Sequence, residues 1–259
     1  MSNGEEQIFE AGRRRILQAA ASALLVSALS SKAAWGQGRP AALDAWETRL
    51  RALNEDVLSG GASASDWLRQ VEQLNGSVSV SELARHIDLD GAVKSFTYGA
   101  AFPHFADIVL PGDAGQPNHR RAWTTRVIGV RKGAHALPHV HNRWVEAHLV
   151  MAGSFQIRTY DRLQDLPEAV VLRPVRDDMS KVGDQILMSD RHENCHWFIA
   201  QRQPSVSFYV SVMGVPPDAD ARGQNVDHTF VDPTAPAQSD GTIVAPTLSF
   251  AAARAKFDP

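Results

Sequence analysis

This sequence of 259 residues has a single cysteine and a small net charge. Its one cysteine, Cys195, excludes an intramolecular disulfide and any zinc or iron–sulfur site built from several thiolates. The 26 basic and 29 acidic residues give a formal charge of −3, which offers no electrostatic support for binding nucleic acid. We therefore expect a small-molecule substrate and no nucleic-acid partner, and any bound metal must be held by imidazole and carboxylate groups.

The N-terminal apolar run, at residues 16–29, is shorter than the roughly 20 apolar residues that a membrane-spanning helix needs. Arginines precede it, and the small residues Ala33, Ala34 and Gly36 follow it, an order typical of an export signal. The segment GRRRILQ, with Arg13 and Arg14, resembles the twin-arginine motif. We therefore expect residues 1–37 to be a signal peptide, the twin-arginine export machinery to be a partner, and the protein to be periplasmic or secreted. An ordinary secretory signal and a basic amphipathic helix are the alternatives.

Residues 38–100 carry helical patterns. Apolar residues recur at spacings of three and four in 41–58 and again in 63–76, which predicts two amphipathic helices. Ser79 and Glu82 have the spacing of a capping box, which predicts a third short helix over 79–90. About 50 residues bury only a small core on their own. We therefore expect these helices to form a layer packed on the part of the chain that follows.

Residues 101–214 show short β-type runs separated by glycine, proline and aspartate. Seven such runs predict an all-β sandwich or barrel. They lie at 123–131, 146–151, 154–160, 169–172, 185–188, 196–200 and 206–213. Residues 215–259 are rich in proline, aspartate and alanine, and we expect them to wrap the surface of the barrel and to end in a short helix near 248–256.

Four of the ten histidines lie between Gly133 and Gly153. His139 and His141 are two residues apart, so on a strand their side chains point to the same face. Glu146 follows a turn, and a hairpin would bring its carboxylate back beside both imidazoles. A third imidazole from the strand near 196 would complete an inner shell for a divalent metal.

The spacing of these residues resembles the first motif of the cupin superfamily, because Gly133, His139, His141, Glu146 and Gly153 occupy its positions. The resemblance implies a mainly β cupin jelly-roll barrel that holds one divalent metal. Iron is preferred, and manganese, zinc, nickel and copper are the alternatives.

The second cupin motif is weaker, because Ser189 replaces its proline, Arg191 its glycine and Asn194 its histidine. We assign His196 as the last ligand, through a turn two residues longer than usual. His192 is the competing candidate.

Other polar residues near the motifs have several possible roles. His148 shares the strand face of Glu146 and is a substrate contact, a hydrogen-bond partner of a ligand, or a core histidine. Arg158 and Tyr160 share one strand face and are candidate substrate contacts, although a surface charge is the alternative for Arg158. His135 is expected at the rim. We assign no role to the four remaining histidines, which are His86, His104, His119 and His228.

The function that we predict is an exported metal-dependent dioxygenase acting on a small organic substrate. Glu146 is either a ligand or a catalytic base in this prediction. The alternatives are a non-redox isomerase or decarboxylase, and a non-catalytic cupin that binds a small ligand. Many cupins pair through their sheets, so the resemblance also implies a homodimer.

Overall fold

The computed structural model describes residues 41–98, 103–111, 123–217 and 226–258. The predicted signal peptide, with Arg13 and Arg14, and His119 lie outside the described residues. None of the helices in the described part of the chain is long and apolar enough to cross a membrane.

Four helices come first in the described chain, and two of them begin at serine caps. The side chain of Ser63 accepts a hydrogen bond from the backbone of Asp66, and Ser79 forms the predicted capping box with Glu82. The third predicted helix is divided in two at Asp88, whose backbone has a positive φ of 49°. The helices are α1 (Ala41–Ser59), α2 (Ala64–Gly76), α3 (Val80–His86) and α4 (Leu89–Lys94).

The helices bury their apolar sides against the sheet that follows them. Trp46 and Trp67 are fully buried in one cluster with Phe208 from a later strand. Each indole also donates a hydrogen bond to a buried asparagine, Trp67 to Asn54 at 3.0 Å and Trp46 to Asn75 at 3.3 Å. The indoles therefore contribute buried apolar area without leaving an N–H group unpaired.

Eleven strands follow within the described residues. They are β1 (His104–Asp107), β2 (Trp123–Val130), β3 (His135–Asn142), β4 (Trp144–Ala152), β5 (Ser154–Leu166), β6 (Ala169–Lys181), β7 (Gln185–Met188), β8 (Cys195–Ala200), β9 (Ser205–Met213), β10 (Asp227–Val231) and β11 (Ile243–Leu248). A last helix, α5 (Phe250–Phe257), packs against Leu137 and Trp197.

The strands form two antiparallel sheets. The first has the order β1-β2-β9-β4-β7, and the second has the order β10-β11-β6-β5-β8-β3 and closes on itself because β3 pairs with β10. From β2 to β5 and again from β7 to β10, consecutive strands alternate between the two sheets. The predicted fold class, a mainly β jelly-roll barrel with an N-terminal layer of short helices, is confirmed.

The C-terminal segment differs from its expected place on the surface. It contributes β10 and β11 to the second sheet, and β10 lies directly beside β3. Strand pairing between residues so far apart in sequence depends on tertiary contacts that local composition does not report. β10 brings the side chains of His228 and Phe230 next to the predicted metal ligand His139.

Candidate metal centre

Three histidines converge from two neighbouring strands of the second sheet. His139 and His141 lie two residues apart on β3, and His196 on β8 is the direct cross-strand partner of His139. The ring of His139 lies 4.2 Å from that of His196 and 4.8 Å from that of His141, measured between centroids. One nitrogen from each of the three rings lies within 4.8 Å of the others. The parity of β3 and the register of β8 together produce the cluster.

Backbone carbonyl groups orient two of these rings. The Nδ1 atom of His139 donates to the carbonyl oxygen of Leu137 at 2.7 Å, and Nδ1 of His196 donates to that of Asn194 at 3.3 Å. In a neutral imidazole this places the proton on Nδ1 and leaves Nε2 with a free electron pair. Both rings are therefore held as metal ligands usually are, with the second nitrogen fixed by a hydrogen bond.

Glu146 reaches the cluster across a corner between the two sheets, and not through the expected hairpin. β3 pairs with β8 and β10, whereas β4 pairs with β9 and β7. Arg143 makes the corner with a positive φ of 58°, and the backbone N–H groups of Arg143 and Trp144 donate to the carboxylate of Asp190. The chain thus passes to the opposite sheet within a few residues, and Glu146 faces His141 across the barrel.

The carboxylate of Glu146 lies between two imidazoles. Its Oε2 atom is 3.6 Å from Nδ1 of His141, and its Oε1 atom is 3.5 Å from Nε2 of His148. Glu146, His148 and His196 offer a second set of ligand atoms within 4.8 Å of one another. His196 belongs to both sets, so the two sets describe one buried centre with His148 on its far side.

His148 is held by its neighbours on the first sheet. Its Nδ1 atom lies 3.1 Å from the hydroxyl oxygen of Ser207, and its ring stacks on Tyr209 at 4.9 Å. Its Nε2 atom is buried and has no hydrogen-bond partner among the described residues. The carboxylate oxygen of Glu146 at 3.5 Å is its polar neighbour, but without a hydrogen bond the burial of this nitrogen costs free energy, which favours a bound group at this position.

Burial keeps the clustered histidines uncharged. It lowers the pKa of His139 to about 4 and lowers the pKa values of His141 and His196 well below the usual value, and repulsion among the rings adds to the effect on His141 and His196. Neutral imidazole is the form that binds metals. Three neutral imidazoles and one carboxylate suit a divalent ion of the iron-to-zinc series, so the donor set fits a metal.

Asn194 stabilises the centre from the position where the second cupin motif has histidine. Its side chain accepts a hydrogen bond from the backbone N–H of His141 at 3.2 Å and donates to the carbonyl oxygen of the same residue at 3.0 Å. Arg162 donates to that carbonyl as well. The asparagine therefore fixes the backbone of a candidate ligand, while His196 supplies the imidazole.

The centre lies in the wall of a cavity of about 220 Å³ between the two sheets. Its apolar lining includes Phe105, Ile128, Phe198 and Phe230. Its polar lining, apart from the histidines and glutamate described above, consists of Arg126, Trp144, Tyr209 and His228. The cavity thus combines an apolar wall with a set of convergent polar groups, a combination that is usual in small-molecule sites.

The structure brings together His139, His141, Glu146, His148 and His196 and places the other candidates elsewhere. His192 is in a loop with its side chain 54% exposed, beside Glu193 at 3.5 Å, and belongs to neither set of ligand atoms. Arg158 is bound to Asp177 at 3.1 Å and lies over the ring of Trp197. Tyr160 packs with Cys195 in a separate apolar cluster. Neither Arg158 nor Tyr160 lines the cavity, so their placement does not favour contact with a substrate there.

His228, to which the sequence assigned no role, lies beside the centre. It is the cross-strand partner of His141 on β10, and its ring is 5.8 Å from that of His139. His86 and His104 lie outside the cavity, where His86 contacts Glu47 and His104 stacks on Phe96.

Arg126 and Tyr209 were not predicted as site residues. The only signal for them is that both lie on predicted strands, and this does not reveal which strand face turns inward.

No family model matches the chain, and neither does any curated protein. Solved structures with similar strand arrangements include KdgF from Halomonas sp., which is 16% identical over 46% of this chain and 82% of its own, with a TM-score of 0.30. A recombinant oxalate oxidase in complex with glycolate is 15% identical over 52% of this chain and 57% of its own, with a TM-score of 0.32. A vicilin from Capsicum annuum is 16% identical over 56% of this chain and 33% of its own, with a TM-score of 0.36.

This chain thus spans less than two thirds of the oxidase and of the vicilin. Likenesses at these TM-scores say nothing of this chain's chemistry, which depends on the residues of its own centre.

Proposed function

We propose that the chain is a metal-dependent cupin enzyme, a dioxygenase that acts on a small organic substrate. His139, His141, His196 and Glu146 would hold one divalent ion, with iron preferred. The observation that carries the proposal is the convergence of three neutral imidazoles, two of them buried and that of His139 half-buried, and a buried carboxylate on one end of a cavity. When bound, iron would supply coordination positions for the substrate and dioxygen, whereas manganese, zinc or nickel would supply a Lewis acid for an isomerase or decarboxylase.

The protein's own contribution is to orient these groups and to exclude water. Glu146 turns one oxygen towards His141 and the other towards His148, so its two oxygens serve different sides of the centre. The oxygen on the side of His148, Oε1, would accept a proton from a substrate in the cavity. Because Glu146, His141 and His148 are buried and His148 is also hydrogen-bonded to Ser207, little reorganisation is needed when a substrate enters.

The size of the cavity supports a small substrate. Its volume of about 220 Å³ lies below the roughly 300–1,000 Å³ of typical ligand sites. The aromatic and aliphatic wall favours a compact organic molecule over a hydrated ion or a polymer. A substrate of this size would reach both the histidines and the polar groups at the far wall.

Oxygen consumption tests the proposed reaction. Protein reconstituted anaerobically with Fe(II) is mixed with a panel of small organic substrates, and dioxygen uptake and product are measured together. We expect uptake stoichiometric with product for at least one compound, and its loss in His139→Ala but not in the matched surface variant His192→Ala. Turnover without oxygen uptake in the manganese, zinc or nickel form would contradict the proposed dioxygenase and support an isomerase or decarboxylase.

Export is a separate proposal that depends on the sequence of the N-terminal segment. We propose that the twin-arginine machinery carries the folded protein to the periplasm, after a metal has been loaded in the cytoplasm. Replacing both Arg13 and Arg14 with lysine should retain the protein in the cytoplasm, whereas equal export of the variant would contradict the proposal. A homodimer stays a prediction, which sedimentation of the purified protein would test.

A further inference from the structure

A row of polar side chains crosses the inner face of the first sheet. Arg126 on β2 is the direct cross-strand partner of Tyr209 on β9, and Tyr209 is the partner of His148 on β4. All three line the cavity. Since neighbouring strands lie about 4.8 Å apart, the backbone of Arg126 is about 10 Å from that of His148, which lies at the histidine end of the cavity. The row therefore joins the metal centre to a second polar group at the opposite wall.

Arg126 is the one arginine or lysine among the described residues that line the cavity. Its Nε atom donates to Asp107 at 2.6 Å, and its Nη1 atom lies 3.5 Å from the hydroxyl oxygen of Tyr209. No hydrogen bond to a described residue engages Nη2. A guanidinium group presents its donors as a planar fork that matches a carboxylate, so one edge of this fork is available to a ligand.

Asp107 does not occupy the free edge of the Arg126 guanidinium. It contacts Arg126 through Nε alone, and its side chain is 52% exposed against 38% for that of Arg126, so water and salt screen the attraction between the two charges. Tyr209 adds a second donor, because its hydroxyl accepts from Arg126 and keeps its own proton to donate. Burial raises the pKa of Tyr209, which keeps the phenol protonated. A positive charge and a neutral hydroxyl donor thus face the same space.

We propose that Arg126 and Tyr209 form an anion-binding subsite and that the substrate is a small carboxylic acid. Its carboxylate is bound by this pair while its other end reaches the histidine centre. The inference rests on the proposed function, because the bound acid is a substrate only if the protein is an enzyme. A cavity of about 220 Å³ and a backbone separation of about 10 Å between Arg126 and His148 fit an acid with a chain of roughly three to six carbons.

Matched acids and amides test the subsite. Unbranched dicarboxylates of three to six carbons and their diamides are titrated by calorimetry into the full chain, both metal-free and metal-loaded. We expect at least one diacid to bind at least tenfold more tightly than its diamide. Arg126→Gln should remove about tenfold or more of the diacid affinity and leave diamide binding unchanged. Arg126→Lys should recover part of the loss, since it keeps the charge without the fork.

The control variant is Arg158→Gln, which removes another arginine paired with an aspartate but outside the cavity. It should bind the diacid as the unmodified protein does.

Metal content is measured in every variant, and Tyr209→Phe replaces Arg126→Gln if the latter does not fold. Equal affinity of all diacids and diamides, or unchanged diacid affinity in the Arg126 or Tyr209 variant, would overturn the subsite. The protein could also prove to hold no metal under any condition, while Arg126→Gln still loses the preference for diacids over diamides. That result would support the subsite and refute the proposed enzyme.

Discussion

Acidification should destabilise the metal-free protein because its clustered histidines resist protonation. Burial lowers the pKa of His139 to about 4, whereas a histidine in an unfolded chain has a pKa of about 6.5. Between these values the unfolded chain binds a proton that the folded chain does not. The contribution of His139 to stability is therefore fully present above pH 6.5 and is lost as the pH falls towards 4.

The size of the effect follows from the two pKa values. Lowering the pH from 7.5 to 5.5 should cost about 1.3 kcal/mol through His139 alone. Burial also lowers the pKa values of His141 and His196, so these residues should add to the loss. The loss through His139 alone is measurable against the stability of an ordinary domain, which is roughly 5–15 kcal/mol.

Urea unfolding of chelator-treated protein at pH 7.5 and 5.5 measures this loss. His139→Gln cannot be protonated, so its loss of stability between the two pH values should be smaller than that of the unmodified protein by about 1.3 kcal/mol. His192→Gln, at the exposed histidine outside the cavity, should behave as the unmodified protein does. The reasoning fails if His139→Gln loses as much stability on acidification as the unmodified protein.

Three further outcomes follow from single contacts. His148→Ala should keep its metal, because His148 does not belong to the first set of ligand atoms, which is His139, His141 and His196. Loss of metal in this variant would indicate that the second set holds the ion. Gly153 has a φ of 72°, and an added Cβ would lie 2.3 Å from the carbonyl oxygen of Pro204. Gly153→Ala should therefore lower the free energy of unfolding by about 3 kcal/mol or more, against about 1 kcal/mol for Gly133→Ala, which has open space; equal values would contradict the clash. Ser79→Ala should cost about 1 kcal/mol in the same urea assay, and no change would show that the capping box is unimportant.

Local patterns in the sequence predicted those parts of the site that depend on one strand. The spacing of His139 and His141 required them to share a face once they lay on a strand. Gly153 was matched to the last glycine of the first motif, and its positive φ is a conformation that glycine adopts readily. The seven predicted β runs correspond to seven strands of the structure, because their residues favour extended backbone.

Features that depend on pairing between distant segments could not be predicted in this way. β10 and β11 come from a segment rich in proline and aspartate, and their pairing with β3 and β6 depends on the closed sheet. His228 reaches the centre only through that pairing. The corner at Arg143, which sends β4 to the opposite sheet, is likewise stabilised by Asp190, a residue distant in sequence. Parity identifies residues that share a face but not the face that turns inward, which is why Arg158 was considered for the cavity and Arg126 was not.

Metal content is the most direct test of the proposed centre. The protein, produced with its own N-terminal segment, is purified and its metal per chain is determined by elemental analysis, together with His139→Ala, His141→Ala, His196→Ala and His192→Ala. We predict close to one divalent ion per chain in the unmodified protein and in His192→Ala, and a loss of most of the metal in the other three variants. Unmodified protein that binds no metal, or a His196→Ala variant with full metal content, would contradict the account.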